Sequence, residues 1–351
     1  MLDLVLTGKL GIAVGCGVLA LIALRSGWLF ALDPRRFDAL ALAALFASRF
    51  GLFALLYLVM GYTVQSDVPI WYYPQGLAAL EGKVVYRDFA SSYGPLFPYL
   101  IAGILSVWHS LLAIVLVAIL VEWVALPIWL RVGRRWLSES ETRIAAVLYI
   151  LNPTVLLTSA MNGQNQVWVA LCLAFSFLLV GRRDVLSGAW LAASLIAVKA
   201  LGALFAPVLW LFASRRTRWF AGFVLPLGLA AALSAVFQVD LLAPLRFEGR
   251  SFSGGNLPYL FTLFGLELMN PTTSVVANGV LLAALAFAFL SAWSRGVHRE
   301  PRNVIHLLAV VFLVFMLFSK KSFSNYLGLA AFPLFASVAM RPLGLGMIAF
   351  C

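Results

Sequence analysis

The sequence predicts an all-α, polytopic transmembrane helical bundle. Three observations carry this: 63% of the 351 residues are hydrophobic, only 11% are charged, and the apolar residues gather in runs long enough to cross a bilayer as helices. A soluble domain carries roughly 25% charged residues. Inside hydrocarbon only helices and closed barrels satisfy their backbone groups, and these runs are too long and continuous for barrel strands. The net charge of +11 comes from short arginine clusters between apolar runs, so it reflects loop bias in a membrane protein and not a nucleic-acid partner.

The elements follow in order. The first apolar run, 9–30, lacks a basic leader, carries Asp3, and has no clear small-residue cleavage site. It is expected to be a retained helix and not a signal peptide. The second span is 39–62. A polar, aromatic segment at 63–95 and a short apolar piece at 96–108 form a first loop with interfacial helices. Spans follow at 109–130, 144–160 and 164–180, then a short pair, 185–198 and 200–213, with Lys199 at the joint. After the span 219–237 comes a second polar loop, 238–268, whose end at 257–268 reads as another interfacial helix. Spans 273–293, 304–318 and 327–340 complete a single integral membrane domain of about 11 membrane helices. The chain ends in a short apolar tail after Arg341, where a further span would fit.

Charge orients this bundle. Arg35 and Arg36, Arg131, Arg134, Arg135 and Arg143, Arg182 and Arg183, Arg215, Arg216 and Arg218, Arg295, Arg299 and Arg302, and Arg341 all fall on one side if each span crosses once. The positive-inside rule makes that side cytoplasmic, in an inner or plasma membrane. The assignment requires both 185–198 and 200–213 to cross. The extracytoplasmic side then receives 63–95, 238–256, Lys199, the turn 162–166 and the segment Lys320–Tyr326.

That side also carries the candidate chemistry. Asp67 ends a long span and precedes Trp71, Tyr72 and Tyr73. A carboxylate at the membrane edge can act as a general base on an acceptor hydroxyl, because partial desolvation raises its basicity; an ordinary loop acid is the plainer reading. Asp88, in Tyr86-Arg87-Asp88-Phe89, suits a structural role, pairing with Arg87 or capping a helix. Lys199 between two short apolar helices is costly unless it pairs, which suits contact with a phosphate. Lys320, Lys321, Arg246 and Arg250 are further cations on the same side, equally suited to meeting lipid headgroups. The aromatic residues can stack on a ligand or form an interfacial belt. Arg49 and Glu122 lie inside spans, as functional charges or as a buried pair.

Other chemistries find little support. His109, His298 and His306 lie apart, and no spacing suggests zinc. Cys16, Cys172 and Cys351 form no disulfide framework. There is no phosphate-binding Gly-rich Lys-Ser/Thr loop and no Gly-x-Ser-x-Gly elbow.

The motifs also have an order. Asp67 and its aromatic pair are followed by Gly82, Tyr86, Asp88, Tyr93 and Pro95, then by Asn152-Pro153 and Asn162-Gly163-Gln164-Asn165, then by Lys199 and Pro207, and finally by Lys320-Lys321-Ser322-Phe323-Ser324-Asn325-Tyr326. From about 60 to 335 this resembles the polyprenol-phosphate-sugar-dependent glycosyltransferases of the GT-C superfamily, especially bacterial multi-spanning mannosyltransferase-like members and the mannosyltransferases of the GPI-anchor pathway. The resemblance implies a GT-C-type bundle and an inverting transfer of one sugar, mannose favoured, from a polyprenyl-phosphate carrier to a lipid-linked or glycan acceptor. It implies Asp67 as the base, and Lys199, Lys320, Lys321 and Arg250 at the donor phosphate. Tyr72, Tyr73, Tyr86, Arg87, Asp88, Tyr93, Gln164, Asn165 and Tyr326 would shape the sugar and acceptor pocket. Two departures stand out: Gln166 occupies the place where the family often has an acid, and an extra span precedes Asp67. The first weakens any site for a divalent cation (Mg or Mn). The rival classes are a transporter or lipid flippase, and a non-catalytic scaffold.

Overall fold

The computed structural model describes residues 2–244, 246, 252–265, 267 and 270–340, and among these the regular elements are all helical. Helix α1 (Leu2–Arg25) leads through the short α2 (Gly27–Ala31) to α3 (Pro34–Phe53). The α3 helix starts where its Pro34 supplies the fixed first-turn φ and Asp33 accepts from the Arg35 N–H. It continues as a π-helical turn over Ala54–Val59. A second π turn, Val68–Tyr72, opens α4 (Tyr73–Leu80), and α5 is Phe97–Val107.

Three further helices form the centre: α6 (Leu111–Trp136), α7 (Glu139–Ile150) and α9 (Gln166–Leu179), with the short α8 (Pro153–Ala160) between the last two. Half of the α6 apolar window is buried inside the protein, against 6% for α14 (Pro271–Ser294), so α6 is central and α14 peripheral. Before α14 come α10 (Asp184–Ala197), α11 (Ala206–Phe212), α12 (Arg216–Val236) and α13 (Leu257–Thr262); after it come α15 (Asn303–Phe318) and α16 (Leu327–Ala339). The outer faces of α1, α12 and α14 expose Val14, Leu225, Leu229, Val275 and Phe287, as lipid-facing helices do.

The run 144–160 is not one straight helix. Asn152-Pro153 breaks it into α7 and α8 at 54°, with Asn152 capping the new start through the Val155 N–H at 2.9 Å. Pro153 has no N–H to donate and cannot continue the preceding helix. The pair 185–198 and 200–213 folds back as a hairpin with Lys199 at its turn. Asp184, at the start of one arm, accepts from the Arg215 N–H beyond the other at 2.7 Å. Five described helices have the length and apolarity to cross a membrane, six with the bent α7–α8 pair. A further set of apolar helices, among the described residues, is 10–17 residues long.

Packing is tightest where α10 meets α12. A Cβ on Gly188 would lie 2.2 Å from the Trp219 carbonyl oxygen, and one on Gly222 2.0 Å from that of Val185, so only glycine allows the two backbones this close. Polar side chains join the same region: Ser176 and Ser187 each donate to the other's carbonyl at 2.7 Å, and the Trp219 indole N–H donates to Ser187 Oγ at 3.0 Å.

Helix α6 also defines the two ends of the molecule. It starts beside Tyr73, whose ring meets His109, and finishes at Arg134 and Arg135. At about 1.5 Å per residue its length is roughly 39 Å, enough to separate the two ends by a bilayer core.

Candidate functional site

Five chain segments converge at the Asp67 end. The first segment is the π turn Val68–Tyr72, which follows half-buried Asp67 and carries Tyr72 inward, to 1% exposure. Ser66 shapes the entry by accepting the Val68 N–H at 3.1 Å. The Tyr72 ring packs edge-on against Tyr93 and Phe97, with centroids 5.1 and 5.0 Å away. Its hydroxyl donates to Gln164 Oε1 at 3.3 Å and accepts the Asn165 N–H at 3.4 Å. Burial pushes the Tyr72 phenol well above its ordinary range, with the neighbouring Tyr93 and the charge of Asp67 adding to the effect. Tyr72 therefore stays a neutral hydrogen-bonding group, with Asp67 close enough to be felt.

The second segment is the turn at 93–96. It runs along the unwound end of α10: Gly94 N–H donates to Val198 O at 2.8 Å and Leu96 N–H to Ile196 O at 2.9 Å. A Cβ on Gly94 would fall 2.4 Å from two carbonyl oxygens of that strip, so glycine is required there. The hydroxyl of Tyr86 donates to the Tyr93 carbonyl, and Ser91 donates to Gln75 at 2.9 Å while accepting the Tyr93 N–H at 3.1 Å.

Lys199 and Tyr326 close the site from the other side. With α10 broken at Val198, the Lys199 ammonium lies 5.5 Å from the Tyr93 ring centre, 5.1 Å from that of Tyr326, and donates to the Tyr326 hydroxyl at 3.3 Å. Aromatic faces hold a cation without neutralising its charge. Beside it, Asn325 Nδ2 donates to Gln164 Oε1 at 3.1 Å. The late loop is fixed further by Ser253, whose hydroxyl donates to Ser322 O and accepts the Ser322 N–H, both at 2.8 Å. Buried Lys320 donates to Ser274, and both burial and the charge of Lys321 lower its pKa. The Lys321 ammonium lies 5.8 Å from the Phe323 ring centre.

Several amide atoms here are sealed from solvent without a hydrogen-bond partner among the described residues: Asn165 Nδ2 and Oδ1, Gln166 Oε1 and Asn325 Oδ1. A buried polar atom left unpaired costs free energy, so such a cluster calls for an explanation. These carboxamides can bind a ligand rich in hydroxyls, and the lysines can bind an anionic group.

Not every candidate joins this cluster. Tyr73 turns to His109, at 5.8 Å between ring centres. Arg87 and Asp88 pair with each other at 2.9 Å on the exposed side of the loop, and Asp88 also accepts the Val84 N–H at 2.7 Å. The Arg87 guanidinium, with the Val84 N–H, holds the Asp88 carboxyl down to about 2. Arg246 is exposed and pairs with Asp240, while Arg250 lies outside the described residues. Sequence reasoning passed over Asn325, Gln75 and Ser274. Asn325 sits inside a motif singled out for its neighbours, but the other two have no local signal. Among the described residues no three His, Cys, Asp or Glu side chains come together, and the groups around Tyr72 are phenols and carboxamides.

No family model and no curated protein matches this chain. Among solved structures, the oligosaccharyltransferase of Archaeoglobus fulgidus, tethered through a disulfide bond to an acceptor peptide containing the NVT sequon, is similar over 90% of the chain. The TM-score is 0.54 at 12% sequence identity, and the chain spans half the length of that protein. The likeness shows the fold alone, an all-helical membrane bundle like that of the archaeal protein.

Proposed function

We propose that the chain is an inverting glycosyltransferase that moves a single sugar, mannose favoured, from a polyprenyl-phosphate carrier to a lipid-linked or glycan acceptor on the extracytoplasmic face. One observation carries this reading: on a GT-C-type fold, an acid, a cation and unpaired buried carboxamides meet at one end of the bundle, each from a different segment. Asp67 takes the proton of the acceptor hydroxyl. The freed oxygen forms a bond to the anomeric carbon as the bond from that carbon to the phosphate oxygen breaks, and the lipid phosphate leaves with the electron pair. Lys199, assisted by Lys320 and Lys321, stabilises the charge that develops on the phosphate. Gln164, Asn165 and Asn325 receive sugar hydroxyls.

The experiment supplies purified protein with radiolabelled polyprenyl-phosphate-mannose, and separately with the glucose, galactose and arabinose donors, over a lipid extract. A parallel arm offers a sequon peptide, because the similar archaeal protein carries one. Sugar transfer is expected in the lipid arm, and Asp67→Asn should lower it about 10²–10⁴-fold, the usual contribution of a positioned base. Full-rate transfer by that variant sinks the mechanism. Movement of intact donor across vesicles without transfer supports a flippase.

A further inference from the structure

Two sets of arginines stand out at the end opposite Asp67. Arg134, Arg143 and Arg302 are matched with acids: Arg134 with Asp38 and Glu139, Arg143 with Glu139, and Arg302 with Glu141. Arg131, Arg182, Arg183, Arg215 and Arg218 have no ion pair with a described residue. These five line two cavities, of about 530 and 630 Å³, which share Arg182 and Arg183. Asp184 lines the smaller cavity and Arg134, paired with Asp38 and Glu139, the larger, so the recess keeps an excess of arginine.

The recess is built. Its one acid, Asp184, accepts the Gly181 and Arg215 N–H groups, each at 2.7 Å. Ser214 Oγ adds a bond to the Gly181 carbonyl at 2.9 Å. Asp184 therefore staples the loop after α9 to the loop before α12 and sets the arginines of both around one opening. Arg135, on the wall of the second cavity, is turned into the carbonyls at the end of α9, with Val180 O at 2.6 Å. Apolar side chains complete the walls: Leu178 and Leu179 in one cavity, Val185 and Leu186 in the other, the last two 46% and 45% exposed.

Gathered arginines repel one another unless an anion joins them. Guanidinium groups bind phosphate through paired N–H bonds, and the combined space is that of a ligand pocket. We infer that the two cavities form one site for the phosphate headgroup of an anionic phospholipid, whose acyl chains run along Val185 and Leu186 onto the apolar flank of the bundle. Basic pockets between helix ends bind such headgroups in other membrane proteins. Free phosphate would satisfy the arginines equally but would leave the apolar rim unused. The site is independent of sugar transfer.

Native mass spectrometry of the full chain in neutral detergent tests it, with phosphatidylglycerol, phosphatidylcholine and inorganic phosphate as separate probes. The wild type should retain phosphatidylglycerol at least about tenfold more tightly than phosphatidylcholine, a factor that corresponds to roughly 1.4 kcal/mol. Arg182→Gln with Arg183→Gln should lower retention about tenfold, and so should Arg215→Gln with Arg218→Gln, which approach from the other loop and keep the test alive if the first pair misfolds. Arg295→Gln with Arg299→Gln removes the same charge away from the cavities and should change retention less than about twofold. Equal loss in that control reduces the effect to diffuse surface charge and overturns the proposal. Equal retention of phosphatidylcholine, or displacement of the lipid by inorganic phosphate at the same concentration, overturns it as well.

Discussion

Two buried polar regions of this bundle answer the same physical problem in opposite ways. At mid-span, Arg49 and Glu122 are both fully buried, and both are satisfied. The guanidinium reaches Glu122 at 2.9 and 3.2 Å and donates to the Ile150 carbonyl, where α7 ends. At the Asp67 end, Asn165, Gln166 and Asn325 hold atoms equally shut from solvent that meet no partner among the described residues. A charge pair with every bond made locks three helices together and leaves nothing for a ligand. A neutral amide cluster with bonds unmade is tolerable only because a neutral group costs far less to leave unpaired than a charge. The first region is a fastener, and the second is an offered surface.

The largest test of this contrast is Glu122→Gln. It strands the Arg49 charge in the bundle, which should cost about 3–5 kcal/mol and show as a large drop in the thermal unfolding midpoint in detergent. Replacing both partners, as Arg49→Met with Glu122→Leu, should recover most of it. If the single variant unfolds like wild type, Arg49–Glu122 is not the fastener. Next is Lys199→Gln. Loss of one charged hydrogen bond to phosphate, about 1.5–3 kcal/mol, predicts a donor KM raised roughly 10–100-fold with the midpoint unchanged. A falling midpoint with an unchanged KM would move Lys199 into the structural class.

Asn165→Ala should do less, a loss of roughly five- to tenfold in transfer for one neutral hydrogen bond of about 1 kcal/mol. Its stability should hold, since the Asn165 side-chain amide has no described partner to lose. A stability loss like that of Glu122→Gln would erase the distinction between the two regions. The smallest effect is in pH. Burial lowers the Lys320 pKa, so this ammonium gives up its proton at a lower pH than a solvated lysine. Donor affinity should weaken earlier on the alkaline side in wild type than in Lys320→Arg, as read from KM between about pH 8 and 10.

How much of this was legible in the sequence varies from residue to residue. Lys199 announces itself, because a lysine between two apolar runs has few inexpensive explanations. The break at Asn152-Pro153 was equally open to reading, yet the run 144–160 still looks like one span until Pro153 bends it. The paired roles of Arg87 and Asp88 could be guessed from adjacency. Asn325 on Gln164 could not be, since 161 residues separate them and an amide leaves no periodic trace. Nor could the stapling of two arginine loops by Asp184, which looks like an ordinary helix-start acid.

By itself the sequence determined the class of molecule: a helical membrane bundle with arginine at one end and aromatic, lysine-bearing loops at the other. Hydrocarbon enforces that much, because it forbids unpaired backbone and charges heavily for each misplaced cation. Only the tertiary structure decided which polar groups are used up and which are left over. Arg49 lies inside an apolar run and Asn165 in a polar turn, both are buried, and neither stretch of sequence says which of them meets a partner. Pairing is a property of where distant segments meet, set by close approaches such as Gly94 on the end of α10 and Gly188 on α12.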